Sequence, residues 1–181
     1  NLGLLYQNEG NHAKAVEFFL AALTKNDESN EEFAKISTLG NVSYSYRMIK
    51  QYSRAKKYTE QAMVLAKKLN LNTNLCRALS AHASIFIDEE NYPEAEKFIR
   101  QSISLSHSIG NKADLCYSMR KLANMLIAFT PRLQEGKHYA DSSRYYAKEI
   151  GDAGFIYYID FTDANYYFKT GAYAKALPLA Q

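Results

Sequence analysis

The residue types that carry catalysis or hold metals occur in this sequence, but not at spacings that support either chemistry. None of the four histidines stands at a metal-ligand spacing from another histidine or from a cysteine. No phosphate-binding Gly-rich loop, HExxH motif or nucleophile elbow is present. We therefore expect no catalytic residue, no metal, no cofactor and no enzyme activity. The histidines are His12, His82, His107 and His138, and the cysteines are Cys76 and Cys116.

Some of these residues have a structural interpretation. We expect Cys76 and Cys116 to be free and buried, because packed helices lie about 8–10 Å apart and a disulfide needs α-carbons within about 7 Å. His82 lies on an apolar stripe and is expected to be a hydrogen-bonded core histidine. The acidic run from Asp88 to Glu90 is expected to be a solvated surface cluster.

A second group of polar residues could bind a peptide. Arginine can hold a carboxylate with two hydrogen bonds, and asparagine can both donate to and accept from a peptide backbone. These residues lie on predicted helix faces that point away from the apolar stripe, where acidic residues are nearly absent and Asp88 is the nearest one. Solvated polar residues on an exposed face are the alternative interpretation. The candidate peptide-binding residues are Asn41, Tyr44, Arg47, Arg77, Ser84, Arg120, Lys121, Asn124, Asn165 and Lys169.

The composition is that of a globular protein. Hydrophobic residues make up 47% and charged residues 23% of the 181 residues, and a formal net charge of +3 is too small to favour nucleic acid. The longest apolar runs, such as 83–87, are far shorter than the roughly 20 residues of a membrane span. We therefore expect neither nucleic-acid binding nor membrane insertion by this segment.

The candidate residues are positioned by an internal repeat. A small residue recurs every 40 or 41 residues, with an aromatic residue or leucine nine or ten positions before it and a turn between the two. Within each repeat, apolar residues with a helical period form two stripes separated by a polar break, which predicts a helix–turn–helix hairpin. The small residues are Ala15, Ala55, Ala95, Gly136 and Ala176, and the preceding residues are Tyr6, Tyr46, Phe86, Leu126 and Tyr167.

Local signals mark several helix starts. Ser29 with Glu32 predicts a capping box before the second repeat. Asn111 and Asp152 predict N-caps, since their side chains can accept hydrogen bonds from the first helical turn.

Helix ends are marked by glycine and proline. Gly110 and Gly151 predict left-handed C-caps. Pro178 falls inside the last predicted helix, where an interior proline costs about 3 kcal/mol. That helix is therefore expected either to start late or to be kinked.

These positions resemble the tetratricopeptide repeat, whose pattern has an aromatic residue or leucine, then Leu-Gly, Tyr, Ala, Phe and Ala. Later repeats keep fewer of these residues, and Phe161 lies one place out of register. The matching residues of the first repeat are Leu2, Gly3, Tyr6, Gly10, Ala15, Phe19 and Ala22.

Two departures from the usual pattern belong together. The period is longer than the common 34 residues, and the proline that usually ends the second helix is absent. This long-period variety resembles the repeats of kinesin light chains, of Leu-Gly-Asn-repeat adaptors and of bacterial regulators. The resemblance implies an all-α fold, a right-handed α-solenoid of about five stacked helix–turn–helix hairpins with both terminal repeats truncated.

The resemblance also implies a function. A concave groove, lined by the first helix of each hairpin, would make the chain a protein- or peptide-binding scaffold. The partner would be a protein or peptide with an acidic or C-terminal carboxylate group. The alternative is a sensory or regulatory segment of a larger bacterial signalling protein, a sensor kinase or transcription regulator with its output domain elsewhere. Self-association through exposed terminal repeats is a third hypothesis.

We expect a single domain over 1–181, with repeats of approximately 1–29, 30–71, 72–111, 112–151 and 152–181. Both ends fall inside predicted helices, so we expect the sequence to be a piece of a longer protein. The compartment is not determined by the sequence. A cytoplasmic location is favoured, and the periplasmic part of a membrane-anchored regulator is the alternative.

Overall fold

The computed structural model describes residues 2–29 and 31–179, which form helices joined by short turns and contain no strand. None of the helices in these ranges is long and apolar enough to cross a membrane. The helices are α1 (Leu2–Asn8), α2 (His12–Glu28), α3 (Glu32–Met48), α4 (Tyr52–Lys68), α5 (Asn72–Asp88), α6 (Tyr92–Ser108), α7 (Lys112–Phe129), α8 (Leu133–Ile150), α9 (Ala153–Lys169) and α10 (Tyr173–Ala176).

The chain divides into two compact units. The N-terminal unit runs up to Asn91 and contains α1 to α5, and the C-terminal unit begins at Tyr92 and contains α6 to α10. Within each unit every helix packs against the next one along the chain. The odd-numbered helices, here called the first helices, also touch one another directly, α3 with α5 and α7 with α9. The all-α fold of stacked hairpins is confirmed, whereas the single domain and the repeat boundaries stay predictions.

The recurring small residues lie where two helices approach closely. Ala15 and Ala55 are completely buried. The hydroxyl of Ser43 on α3 donates a hydrogen bond of 2.8 Å to the carbonyl oxygen of Ala55 on α4. A Cβ added to Gly136 on α8 would lie 2.6 Å from the side chain of Ile127 on α7. A larger residue at these positions would therefore push the two helices of a hairpin apart.

The recurring aromatic residues also have a structural role. Tyr6 stacks on Phe18 with ring centroids 5.2 Å apart, and Tyr46 stacks on Tyr58 at 5.5 Å. Such pairs contribute about 0.5–1.5 kcal/mol beyond the area that they bury. The predicted role of the aromatic stripe in packing is confirmed for these two hairpins.

The predicted N-caps of the fourth and fifth repeats and the C-caps directly before them are confirmed. The side chains of Asn111 and Asp152 each accept a hydrogen bond from the backbone N–H three residues further on. Gly110 and Gly151 have left-handed backbone angles, with φ of 66° and 70°. Because glycine has no Cβ, these two turns adopt that conformation without steric cost.

The same left-handed conformation occurs at turns without glycine. Lys50, Asn70 and Glu90 have φ of 59°, 54° and 60°. Such angles cost a residue with a Cβ about 1–2 kcal/mol. The packing of the flanking helices therefore imposes this turn geometry, whatever residue occupies the turn.

The predicted capping box at the start of the second repeat is wrong. Helix α3 has Glu31 at its N-cap position, without a side-chain cap. Ser29 is instead the C-cap of α2, and its hydroxyl donates to the carbonyl oxygen of Asn26. The reason is that α2 continues to Glu28. The hydroxyl of Ser29 therefore bonds to the end of α2 instead of capping α3.

The last helix was expected either to start late or to be kinked at Pro178, and it does neither. Helix α10 starts on the common register at Tyr173 and ends at Ala176, and Pro178 lies in a 3₁₀ turn formed by Leu177–Leu179. The helix thus neither starts late nor bends around the proline, because the α-helical part ends two residues before it.

Gly136→Ala is expected to lower the free energy of unfolding by about 1–3 kcal/mol, because the added methyl group overlaps Ile127 and approaches the backbone of Ala123. Gly40 in α3 is the matched control. Apart from the neighbouring backbone of its own helix, no atom lies within 4 Å of the position of a Cβ there, so Gly40→Ala should raise stability by up to about 1 kcal/mol. Urea denaturation measures both. A Gly136→Ala variant as stable as Gly40→Ala would contradict the close approach of α7 and α8.

Candidate functional site

All ten candidate peptide-binding residues lie on first helices, and none of them is buried. Five lie on α3 and α5 of the N-terminal unit, and five lie on α7 and α9 of the C-terminal unit. Because α3 touches α5 and α7 touches α9, each unit brings its own five residues onto neighbouring helices. Their role in binding stays a prediction, and the two surfaces differ in how their charges are compensated.

In the N-terminal unit the main cation already has an acidic partner. The guanidinium of Arg47 lies 5.4 Å from the ring centroid of Tyr44, and its Nη1 lies 3.6 Å from Oδ2 of Asp88 on α5. Tyr44 in turn makes an edge contact with His12 at 5.8 Å. Asp88, the acidic residue nearest to the predicted set, therefore offsets the charge of Arg47.

The other residues of this surface are polar and at least partly exposed to solvent. Arg77 is exposed on α5, and Asn41 is partly exposed on α3. The hydroxyl of Ser84 donates to the carbonyl oxygen of Ser80 at 3.1 Å, so its proton is used within the helix.

In the C-terminal unit Arg120 stands between two tyrosine rings. Its guanidinium carbon lies 5.7 Å from the ring centroid of Tyr117 on α7 and 5.1 Å from that of Tyr158 on α9. Arg120 forms no ion pair with any residue that the structure describes, and its Nε is buried without a hydrogen-bond partner. The ammonium of Lys121 lies 4.8 Å from the same Tyr117 ring. This surface thus carries a cation that the fold leaves uncompensated.

Polar contacts tie α9 to α7 beside Arg120. The hydroxyl of Thr162 donates a 2.6 Å hydrogen bond to Oδ1 of Asn124, which leaves the Nδ2 group of Asn124 as a donor. The ammonium of Lys169 donates to the carbonyl oxygen of Ala128 near the end of α7. Asn165 is partly exposed on α9.

A network of ion pairs around the buried Asp163 holds α9 on its other side. Arg144 on α8 pairs with Asp160 at 2.7 Å and with Asp163 at 3.0 Å, and Lys137 lies 3.4 Å from Asp163. Burial alone would lower the pKa of Lys137, but the hydrogen bond to Asp141 and the charge of Asp163 raise it above its ordinary value. Because Asp163 is almost fully buried, breaking this network would leave an uncompensated charge between the helices.

Exposed aromatic residues on this surface were not among the predicted set. Tyr117 is 39% exposed, Tyr158 55% and Phe161 67%. The sequence signal was present for Phe161, since it lies one place out of the repeat register and therefore outside the packed stripe. For Tyr117 and Tyr158 no sequence signal separates these rings from tyrosines such as Tyr46 and Tyr139, which pack in or against the core.

The residues that could do catalysis or bind metal are buried or dispersed. Cys76 and Cys116 are free and buried, as predicted. The thiol of Cys116 donates to the carbonyl oxygen of Ser143, and burial raises its pKa, which lowers its reactivity as a nucleophile. Among the described residues no group of three His, Cys, Asp or Glu side chains could hold a metal ion.

His82 is a hydrogen-bonded core histidine, as predicted. It is 3% exposed, and its Nδ1 lies 2.6 Å from the hydroxyl of Thr59 on α4. Burial lowers the pKa of His82, and the charges of Glu60, Lys56 and Glu89 modify that pKa less than burial does. The side chain is therefore neutral at neutral pH and belongs to the α4–α5 contact.

Comparisons with known proteins agree with this geometry. The family model of the tetratricopeptide repeat matches residues 1–26, which contain most of the first hairpin. Solved structures extend the likeness to both units. BtubC (BKLC) from P. vanneervenii has a TM-score of 0.80 at 14% identity, with 98% of this chain and 74% of that chain covered. The chain is a solenoid of tetratricopeptide-like repeats.

Two other solved structures have the same fold as this solenoid. A kinesin light chain-like protein of nearly identical TPR-like repeats from Podosopora anserina matches with a TM-score of 0.74 at 16% identity, covering 99% of this chain and 88% of that one. A Rap protein complexed with Competence and Sporulation Factor matches with a TM-score of 0.82 at 17% identity, covering 98% of this chain. At these identities the likeness shows the fold alone.

The solenoid spans 49% of the length of that Rap protein. A search of curated protein sequences finds no match. The activities of the longer relatives therefore do not transfer to this chain by likeness, and its function has to be argued from its own surface.

Acid should destabilise the solenoid through His82. Because burial lowers its folded-state pKa below the unfolded value of 6.5, the unfolded chain binds the proton more tightly. The stabilisation is complete above that unfolded pKa and is lost as the pH falls towards the folded one. His82→Gln should therefore show a smaller drop in urea midpoint than the wild type between about pH 7.5 and about pH 5.5. His107→Gln, an exposed control, should keep the wild-type dependence. An unchanged dependence in His82→Gln would contradict this role.

Proposed function

We propose that this solenoid is a protein-binding scaffold that holds a segment of a partner protein along its first helices. The observation that carries the proposal is the surface of α7 and α9, where Arg120 lies between the exposed rings of Tyr117 and Tyr158. Arginine and tyrosine are enriched at the energetic centres of protein interfaces. An arginine without an acidic partner keeps its charge available for a ligand, so binding is the role that its setting supports.

The first helices suit the binding of a partner segment because packing holds them in place. Packing against the second helices and against each other fixes the positions of Asn124 and Arg120 before a partner arrives. A guanidinium contributes about 1.5–3 kcal/mol for each hydrogen bond to a carboxylate, and an asparagine amide can pair with a peptide backbone. The partner would thus be a protein or peptide with an acidic side chain or a C-terminal carboxylate. We propose no catalysis, since repeat proteins of this kind are generally non-enzymatic scaffolds.

The Rap structure supports a binding role in particular. That protein was solved in complex with Competence and Sporulation Factor, and about half of its length has the fold of this chain. The same likeness favours a second candidate function, the regulatory segment of a larger bacterial signalling protein. The complete reading frame distinguishes the two: a kinase, phosphatase or DNA-binding domain in the same frame would support the regulatory segment, and a frame without one would remove it.

Selection from a displayed library of random dodecapeptides tests the scaffold function. Enriched peptides should bind the wild type and lose about tenfold or more in affinity for the Arg47→Glu/Arg120→Glu variant, measured by fluorescence anisotropy. The reason is that both substitutions place an acid on the first-helix surfaces.

The matched control makes the same change in net charge as the Arg47→Glu/Arg120→Glu variant, but on second helices. Lys57→Glu/Lys148→Glu alters two exposed lysines of α4 and α8 and should leave the affinity within about twofold. Circular dichroism of both variants checks that they are folded. Equal affinities for the two variants would place binding away from the first helices, and a library without any enriched peptide would argue against peptide binding altogether.

A further inference from the structure

One face of α9 carries a stripe of exposed and partly exposed residues that starts at the Arg120 site. Tyr158, Phe161, Asn165 and Phe168 follow one another at intervals of three or four residues, so they lie on the same side of the helix. Phe161 is 67% exposed and Phe168 is 64% exposed. With a rise of 1.5 Å per residue, the stripe is about 15 Å long.

An apolar cavity lies at the end of the stripe that is far from Arg120. Its volume is about 430 Å³, within the range of roughly 300–1,000 Å³ that is typical of ligand pockets. The aromatic rings of its wall are exposed to solvent, so the cavity opens outwards. The lining residues are Phe161, Ala164, Asn165, Phe168, Tyr173, Ala176 and Leu177.

The near end of the stripe carries the positive charge of Arg120. Arg120 has no acidic partner in the described part of the chain and its Nε is buried without a hydrogen bond, whereas Arg47 in the N-terminal unit faces Asp88. A carboxylate of a partner would therefore compensate a charge that the fold leaves open. The Nδ2 group of Asn124, one helical turn further along α7, can donate to the backbone of the same partner.

We propose that the C-terminal unit binds a partner segment through two side chains, an Asp or Glu on Arg120 and a large apolar side chain in the cavity. This proposal rests on the scaffold function and names the chemistry of the segment. The part of α9 that lines the cavity is centred about seven residues after Tyr158, which corresponds to about 10 Å along the helix. An extended peptide covers that distance with about three residues, so the acidic and the apolar residue are about three positions apart.

The probes are the dodecapeptides enriched from the random library, synthesised with acetylated N-termini and amidated C-termini. Peptides that bind should share an Asp or Glu about three residues from a large apolar residue. Replacing that acid by its amide, or the apolar residue by Ala, should each weaken the peptide by about tenfold or more.

Protein variants with matched controls locate the contacts. Arg120→Gln and Phe168→Ala should each weaken binding by about tenfold or more. Lys57→Gln removes an exposed cation from the second helix α4, and Phe33→Ala removes a ring with a similar exposure of 63% from the N-terminal unit. Both controls should stay within about twofold of the wild type.

The remaining outcomes separate this proposal from the scaffold function. Peptides that bind but are insensitive to Arg120→Gln and Phe168→Ala would overturn the two-point site and leave the scaffold function standing. Loss of binding on capping the C-terminus would assign Arg120 to a terminal carboxylate instead of a side chain. A wild-type dimer that Phe168→Ala converts to a monomer in sedimentation would show a second copy in the cavity. Any of these three results would overturn the proposal.

Discussion

The close approach of two helices at small residues is the contact on which the rest of the structure depends. Ala15 and Ala55 are completely buried at such contacts, and Gly136 leaves no room for a methyl group beside Ile127. A single hairpin cannot bury its own apolar face, so each one is stabilised by stacking on its neighbours. This stacking buries the apolar stripes and leaves the outer faces of the first helices open to solvent.

Stacking also places residues one repeat apart next to each other, and each unit uses this differently. In the N-terminal unit an acid at the end of α5 meets Arg47 of α3, and the charge is compensated internally. In the C-terminal unit Arg120 of α7 meets the ring of Tyr158 on α9, and the charge stays open. One backbone geometry can thus produce a surface with a compensated charge in one unit and a surface with an open charge in the other.

The open surface in turn relies on the ion network behind it. Arg144 and Lys137 hold the buried Asp163, the residue directly after Thr162, which bonds to Asn124. A buried charge is costly to leave unpaired, so this network favours one orientation of α9. The orientation that it favours is the one in which Tyr158 and Phe161 face outwards beside Arg120.

The sequence by itself determined the helices, the hairpin pattern and the first-helix position of the ten candidate residues, because apolar period, small residues and caps such as Asn111 are local signals. It did not determine that Lys50 adopts a left-handed turn, that Asp88 compensates Arg47 or that Arg120 stays unpaired. Only the tertiary structure decided these points. The physical reason is that a charge or a backbone angle depends on the neighbour that packing supplies, and here that neighbour belongs to another helix.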